Sequence, residues 1–531
     1  MKTFALLMVL SIAGVYRSFG QVQFTQRMEI ETAWEEDDFI ILQRDEGLVA
    51  FRMVSEKGMN RDRSLQYFIS DFQLNPGELK NLPVKDFLNL LGFDLDGDLL
   101  YVLFQKGEAP TSEKLIVEID LSTGDTAEIP VNAILGMELQ EFFVLDKQAI
   151  LMGNLEYRPA IQVYNTTTQR VITIQGIYEK DAKIIQMRKA PEFGGFDVLM
   201  SRRDRYKNKI VSISSFDTKG TKLKEVKIDH LSNADMEIIE GVLTPSISYT
   251  QALIGPYGIR RRETLHGLYF TQINEFGEFE SNLYNLSDFD NFYNYLPEKS
   301  KNRRIRKLER AIAKGKSTPI RNTLSTREII AKNGYYLIYN DLFASSSRKY
   351  MSRNGMYINN FYRMSPRAGN IGGGGGYNSP LWTNPYMRSG QISNEYKFLS
   401  AQMILMDENG KIVWDNALSL DNTTRIHPGK FGEVSFDGHN LYYMYVDELE
   451  LKLSQIKNGE VVLENESFEL ELINENERIR DTQENSLNLM WWYQDYYLLS
   501  GKQEIRYQKE DGREDNREVF FLTKIKVEDL N

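Results

Sequence analysis

The sequence contains no cysteine in its 531 residues. That excludes disulfides, thiolate metal sites and cysteine nucleophiles. Histidine is scarce too, with four residues, His230, His266, His427 and His439. No two stand at i, i+4, no H-E-x-x-H occurs, and a metal site is not expected. Neither a G-x-S-x-G elbow nor a P-loop is present. The glycine run Gly372 to Gly376 has no Lys-Ser/Thr after it, so it is not read as a phosphate cradle. No catalytic constellation and no cofactor signature stand out. Positive charge is in deficit, at a formal −11, which argues against binding nucleic acid through overall charge. Past the first residues, no apolar run approaches the roughly 20 needed to span a bilayer as a helix.

The first residues are different. Met1-Lys2 is basic, Phe4 to Tyr16 is apolar, and Arg17-Ser18-Phe19-Gly20 supplies small residues before Gln21. This tripartite pattern predicts a signal peptide over 1–20, cleaved near Gly20-Gln21. An uncleaved anchor or a buried first helix are the other readings. A long exported eukaryotic protein would usually carry disulfides. The expectation is therefore a soluble bacterial protein of the periplasm, cell surface or medium, with no transmembrane anchor. Without a cysteine it has no lipid anchor either.

The remaining 21–531 read as short alternating or apolar runs separated by turn signals, an all-β pattern. In 88–131, Leu88 to Asp94, Leu99 to Gln105, Leu115 to Asp120 and Thr126 to Val131 are four such runs. Asp96-Gly97 and Ser122-Thr123-Gly124 make two of the turns. Similar units fall at 39–80, 136–175, 183–228, 235–285, 328–419, 432–470 and 487–528. A period near 45 is that of a β-propeller. The last unit shows only three runs, Leu487–Tyr493, Tyr496–Ile505 and Val519–Val527. A ring must close or leave strand edges bare, and the N-terminal run Val22 to Ile30 is a fourth strand in waiting. The fold expected is a single β-propeller of about eight four-stranded blades, alternatively seven, closed by that strand. Two or three separate β domains are the competing reading.

Three segments carry a resemblance. Phe93-Asp94-Leu95-Asp96-Gly97-Asp98-Leu99-Leu100-Tyr101-Val102, Ile119-Asp120-Leu121-Ser122-Thr123-Gly124 and Phe436-Asp437-Gly438-His439-Asn440-Leu441-Tyr442-Tyr443 resemble blade motifs of bacterial secreted β-propellers, including the WD40-like periplasmic repeats. The resemblance implies the fold and no catalytic residue, since propellers host enzymes, lectins and scaffolds alike. Asp94 to Asp98 lacks the D-x-D-x-D-G order and distal Glu of a calcium loop and reads as a hairpin. Met490-Trp491-Trp492-Tyr493 reads as a buried strand in preference to a sugar platform.

Two insertions interrupt the repeat. The first, 286–327, has an aromatic lead-in, Phe292, Tyr293 and Tyr295, and a basic helix candidate from Asn302 to Ala313, ended by Gly315. Ile305, Leu308 and Ile312 share one face; Arg303, Arg304, Lys307 and Arg310 lie elsewhere. From Lys299 to Arg321 there are ten Lys or Arg against one acid. The second insertion, 345–391, is rich in Gly, Tyr and Arg, a composition that does not order itself. It carries six Lys or Arg and no acid. With strand one of the sixth unit at Glu328–Ala331 and strand two at Tyr335–Leu342, both insertions leave the same face. The expectation is a non-enzymatic binding or scaffold module of the cell envelope. Its cationic aromatic face, made of Arg303, Arg304, Lys307, Arg310, Tyr350, Arg353, Arg363, Arg367, Tyr377, Trp382 and Arg388, would take an anionic envelope polysaccharide or an acidic protein. The competing readings are insertions folded back onto the acidic body or merely solvated, and a carbohydrate-active enzyme, a glycoside hydrolase or lyase, using carboxylates at the channel mouth.

Overall fold

Alternation of apolar and polar residues, broken by left-handed turns, sets the strands. In the second unit Leu88–Asp96 pairs with Leu99–Lys106 across a tight turn at Gly97, whose φ of 60° suits glycine. Lys114–Asp120 and Thr126–Val131 complete a four-stranded antiparallel sheet. The computed structural model, which describes residues 22–55, 63–85, 88–247, 249–260, 264–345, 395–425, 429–474, 476–509 and 512–528, repeats this unit around a ring. The protein is an eight-bladed β-propeller with one α-helix among the described residues. The alternatives of seven blades and of separate β domains are not what forms.

The inner strands open at Ile40, Leu88, Glu138, Lys183, Met236, Thr323 and Glu433 for blades one to seven. In blade eight the inner position is split between Arg478–Thr482 and Asn488–Tyr493, both paired to Tyr496–Gln508. Val22–Glu31 lies antiparallel to Glu514–Val527 as the outermost strand of blade eight. The first described strand and the last thus share one sheet, and the ring closes. Phe39, Ile41, Leu48 and Phe68 of blade one pack on Met490, Trp492, Leu498 and Phe520 of blade eight. Trp492 is fully buried and its indole N–H donates to the carbonyl of Gly47; with Met490 it is core, while Trp491 and Tyr493 are half-buried.

An inner strand has one edge turned to the central channel, where its backbone N–H groups lack a ladder partner. Side chains of the preceding blade supply acceptors. Asp94 takes the N–H of Val144 at 2.6 Å, and Gln186 that of Leu243 at 2.8 Å. Glu240 takes that of Thr326 at 3.3 Å, and Glu433 that of Trp491 at 3.4 Å. Polar side chains on the channel side, three acids and one amide, therefore join blade to blade.

Two boundaries differ from the sequence reading. The inner strand of blade six is Thr323–Lys332, so the first insertion ends before Thr323. Ser325, Thr326 and Arg327 look like loop but are buried, Thr326 bonded to Asn340 and Arg327 to Asp341. Blade eight also gains Arg478–Thr482, a strand too polar to show in the pattern. Residues 1–20, assigned to a signal peptide, lie outside the described residues.

Candidate binding face

Each blade is a meander, so the connection entering an inner strand and the turn between the second and third strands emerge together, on what is called here the entry face. The insertion ahead of blade six is built on that face. Outer strand Phe279–Asn285 of blade five runs into a single turn, Leu286–Asp288, capped reciprocally by Asn285 and Asp288. Phe289 and Phe292 then bury between blades five and six, with Tyr293, Tyr295 and Leu308 packed at the edge of that cluster. Asp415, on the outer strand Ile412–Ser419 of blade six, accepts from the N–H groups of Asp290 and Asn291, each at 2.9 Å. Asn291 donates back to the Asp415 carbonyl at 2.9 Å.

The helix so anchored is Glu298–Ile312, one turn longer at its start than the sequence reading, because Pro297 precedes it and proline suits a helix beginning. Gly315, at φ 63°, turns the chain out, and Lys316 N–H reaches the Ala311 carbonyl at 2.9 Å. Ser317 then meets His266 Nδ1 at 3.0 Å, and Ile320 N–H bonds the Leu265 carbonyl at 2.8 Å. Lys301, Ile305 and Leu308 form the half-buried side. Ile312, expected on that side, is exposed, since the helix leaves the blade surface at its end. Arg303, Arg304, Arg306, Lys307 and Arg310 are exposed, and among the described residues none of them forms an ion pair.

Strand Tyr335–Ser345 ends on the same face, and the third strand of blade six, Tyr396–Asp407, starts there. The second strand runs three residues past the expected Leu342, and the second insertion lies between the two strands in sequence. Its predicted site residues, Tyr350, Arg353, Arg363, Arg367, Tyr377, Trp382 and Arg388, lie outside the described residues. Of the proposed site, the structure brings together Arg303, Arg304, Lys307 and Arg310.

The channel side of blades six and seven carries carboxylates that do converge. Glu328 and Glu433 both meet Lys430, at 3.0 and 2.8 Å. Beside them Asp341 takes Arg327 Nε at 2.8 Å, the Tyr339 hydroxyl at 2.6 Å and the N–H of Phe431 at 3.1 Å. All of these side chains are buried. Burial pushes the Glu433 and Asp341 carboxyls up against the pull of their cations. Burial would lower Lys430, but its two carboxylates outweigh that and hold its pKa above the usual lysine value. The two acids are closed around a lysine, an arrangement that joins blades six and seven.

Sequence reading missed another part of the entry face. The turn between the second and third strands of blade three carries Glu156, Tyr157 and Arg158, and that of blade four carries Arg205, Tyr206 and Lys207. Tyr178 stands in the connection between them. Tyr157 is 100% exposed and Tyr206 66%. A lone aromatic in a turn leaves no periodic trace. Among the described residues no group of His, Asp or Glu is arranged to hold a metal ion.

No family model and no curated protein matches the chain. The chain has some likeness to solved structures of varied kinds. A polysaccharide lyase, Uly1, is 8% identical with a TM-score of 0.37, over 95% of this chain and all of that one. The β-propeller domain of the trilobed protease from Pyrococcus furiosus, described as having an open velcro topology, is 11% identical with a TM-score of 0.33, over 81% and 98%. An acylaminoacyl peptidase from Pyrococcus horikoshii is 10% identical with a TM-score of 0.34, over 81% of this chain. The likeness spans about half of that peptidase, 52%.

Proposed function

We propose that this chain is an exported bacterial β-propeller that binds an anionic partner in the cell envelope, as a binding or scaffold module and not as an enzyme. The observation that carries the reading is the helix Glu298–Ile312: five exposed cations, without ion pairs among the described residues, on a support clamped by Asp415 and by the Phe289–Phe292 core. Concentrated charge on a fixed surface raises encounter rates with an opposite partner, and salt weakens it. The second insertion, 345–391, holds six further Lys or Arg and no acid in its sequence. The basic, apolar and small-residue order of the first twenty residues supports export. Carboxylates sealed around Lys430 give no support to hydrolase or lyase chemistry at the channel.

The test uses crosslinking in intact cells followed by identification of attached partners. It compares the native chain with the variant Arg303→Gln, Arg304→Gln, Lys307→Gln and Arg310→Gln. The expected result is an acidic envelope component captured by the native chain and lost from the variant. Equal capture by both contradicts the reading.

A further inference from the structure

We infer that the entry-face rim of blades three and four is a subsite for an acidic polysaccharide, with Tyr157, Tyr178 and Tyr206 as stacking rings and Arg158 and Arg205 as carboxylate-reading groups. The rim lies apart from the helix and stands without it.

Three observations combine. First, Tyr157 sits at φ 62° beside Glu156 at φ 50° in a two-residue turn, a place that favours Asn or Gly. A bulky side chain there strains the backbone. Its ring is wholly in solvent and gains nothing from packing. A local rule broken without structural return points to function. Second, rings on this rim carry guanidinium groups: Arg158 lies 5.0 Å from the centre of Tyr178, and Arg205 lies 5.5 Å from that of Tyr206. Such pairs present a flat apolar surface next to a fixed cation. A pyranose offers the matching pair, an apolar C–H face and, in a uronic acid, a carboxylate that a guanidinium forks. Third, the rim is cationic. Residues 156–158, 178–181 and 202–209 hold seven Lys or Arg against four acids. Three of those acids are already engaged: Glu179 by Arg202 at 2.7 and 2.8 Å, Asp204 by the N–H groups of Tyr206 and Asn208 at 2.8 Å, and Glu156 by the hydroxyl of Tyr178 at 3.4 Å. The rings stand on separate turns and form no continuous apolar patch, which suits a chain of sugars better than the packed core of a protein interface.

The experiment measures binding of the full chain to polygalacturonate, to poly-L-glutamate and to neutral dextran. Native protein is compared with Tyr157→Asn combined with Tyr206→Ser, and with the four-residue helix variant. The aromatic variant should bind polygalacturonate about tenfold more weakly, as loss of anchor rings implies. Its affinity for poly-L-glutamate should be unchanged, and its Tm should not fall, because Asn relieves the turn. Dextran, lacking carboxylates, should not be retained. No binding of polygalacturonate by the native chain overturns the proposal, as does an equal loss for both polyanions or no loss at all. The same difference should persist in the helix variant. If the helix variant instead binds every polyanion like the native chain, the helix reading fails and the rim stands.

Discussion

Lys189 of blade four reaches past blade three to Asp94 of blade two, with Nζ 2.6 Å from Oδ2 and 3.1 Å from the carbonyl of Leu95. The same carboxylate takes the N–H of Val144, on the blade in between, at 2.6 Å. One buried acid thus fastens three inner strands at the channel.

Burial outweighs the attraction of Lys189 and pushes the Asp94 carboxyl up to about 6. An unfolded aspartate titrates near 3.9. The folded state therefore holds more protons between these values. The stability contributed by this group is full below about pH 4 and is lost as pH rises through 6. From pH 5 to pH 7 the native chain should lose about 1 kcal/mol relative to Asp94→Asn. Urea unfolding of both proteins at the two values checks this; parallel pH dependence refutes it.

The buried Lys430 gives a larger effect. Lys430→Met leaves Glu328 and Glu433 facing each other without a cation. Removing one partner of a buried ionic group costs about 3–5 kcal/mol. The loss should be largest at pH 7 and shrink toward pH 5, as the orphaned pair takes up a proton; burial already pushes the Glu433 carboxyl up. Adding Glu328→Gln and Glu433→Gln to Lys430→Met should recover part of it. Thermal melts of the single and triple variants supply the comparison.

Ring closure has its own ionic lock. Glu29, on Val22–Glu31, accepts from Arg517 Nη2 at 2.6 Å and from Arg27 Nε at 2.7 Å, while Arg517 also reaches Glu477 at 2.8 Å. Burial would raise Glu29, but the hydrogen bonds from Arg27 and Arg517 outweigh it and hold its pKa below the ordinary value of 4.5. With a lowered pKa, its contribution is present above the unfolded value and lost as pH falls through the folded one. Glu29→Gln should cost about 1–2 kcal/mol at pH 7, and the gap should close as the medium is acidified below 4.5. A gap that widens in acid contradicts the assignment.

Much of the fold was legible because glycine and asparagine mark the turns. Gly97, Gly124 and the Asn333-Gly334 pair all adopt positive φ where the pattern places hairpins. The closing strand was legible because the last unit lacked one. What escaped had polar chemistry in place of periodicity. Arg478–Thr482 holds its register through pairing with Gln503–Arg506, and its own residues alternate weakly. Thr326 is buried by hydrogen bonding to Asn340, a partner fourteen residues away that no local pattern reveals. The helix was legible from its charge and its apolar stripe, but its clamp, Asp415, lies more than a hundred residues downstream. The aromatic rim depends on which turns share a face, and that emerges only once the blades are assembled.

The central claim rests on the free charge of the helix, and its direct measurement is the affinity of the full chain for an anionic polysaccharide at low and high salt. The account predicts a Kd that rises steeply with salt in the native chain. It also predicts that Arg303→Gln, Arg304→Gln, Lys307→Gln and Arg310→Gln weaken binding by about tenfold at low salt, as loss of several charge contacts implies, with a flatter salt response. Equal affinity and equal salt dependence in the two proteins would contradict it.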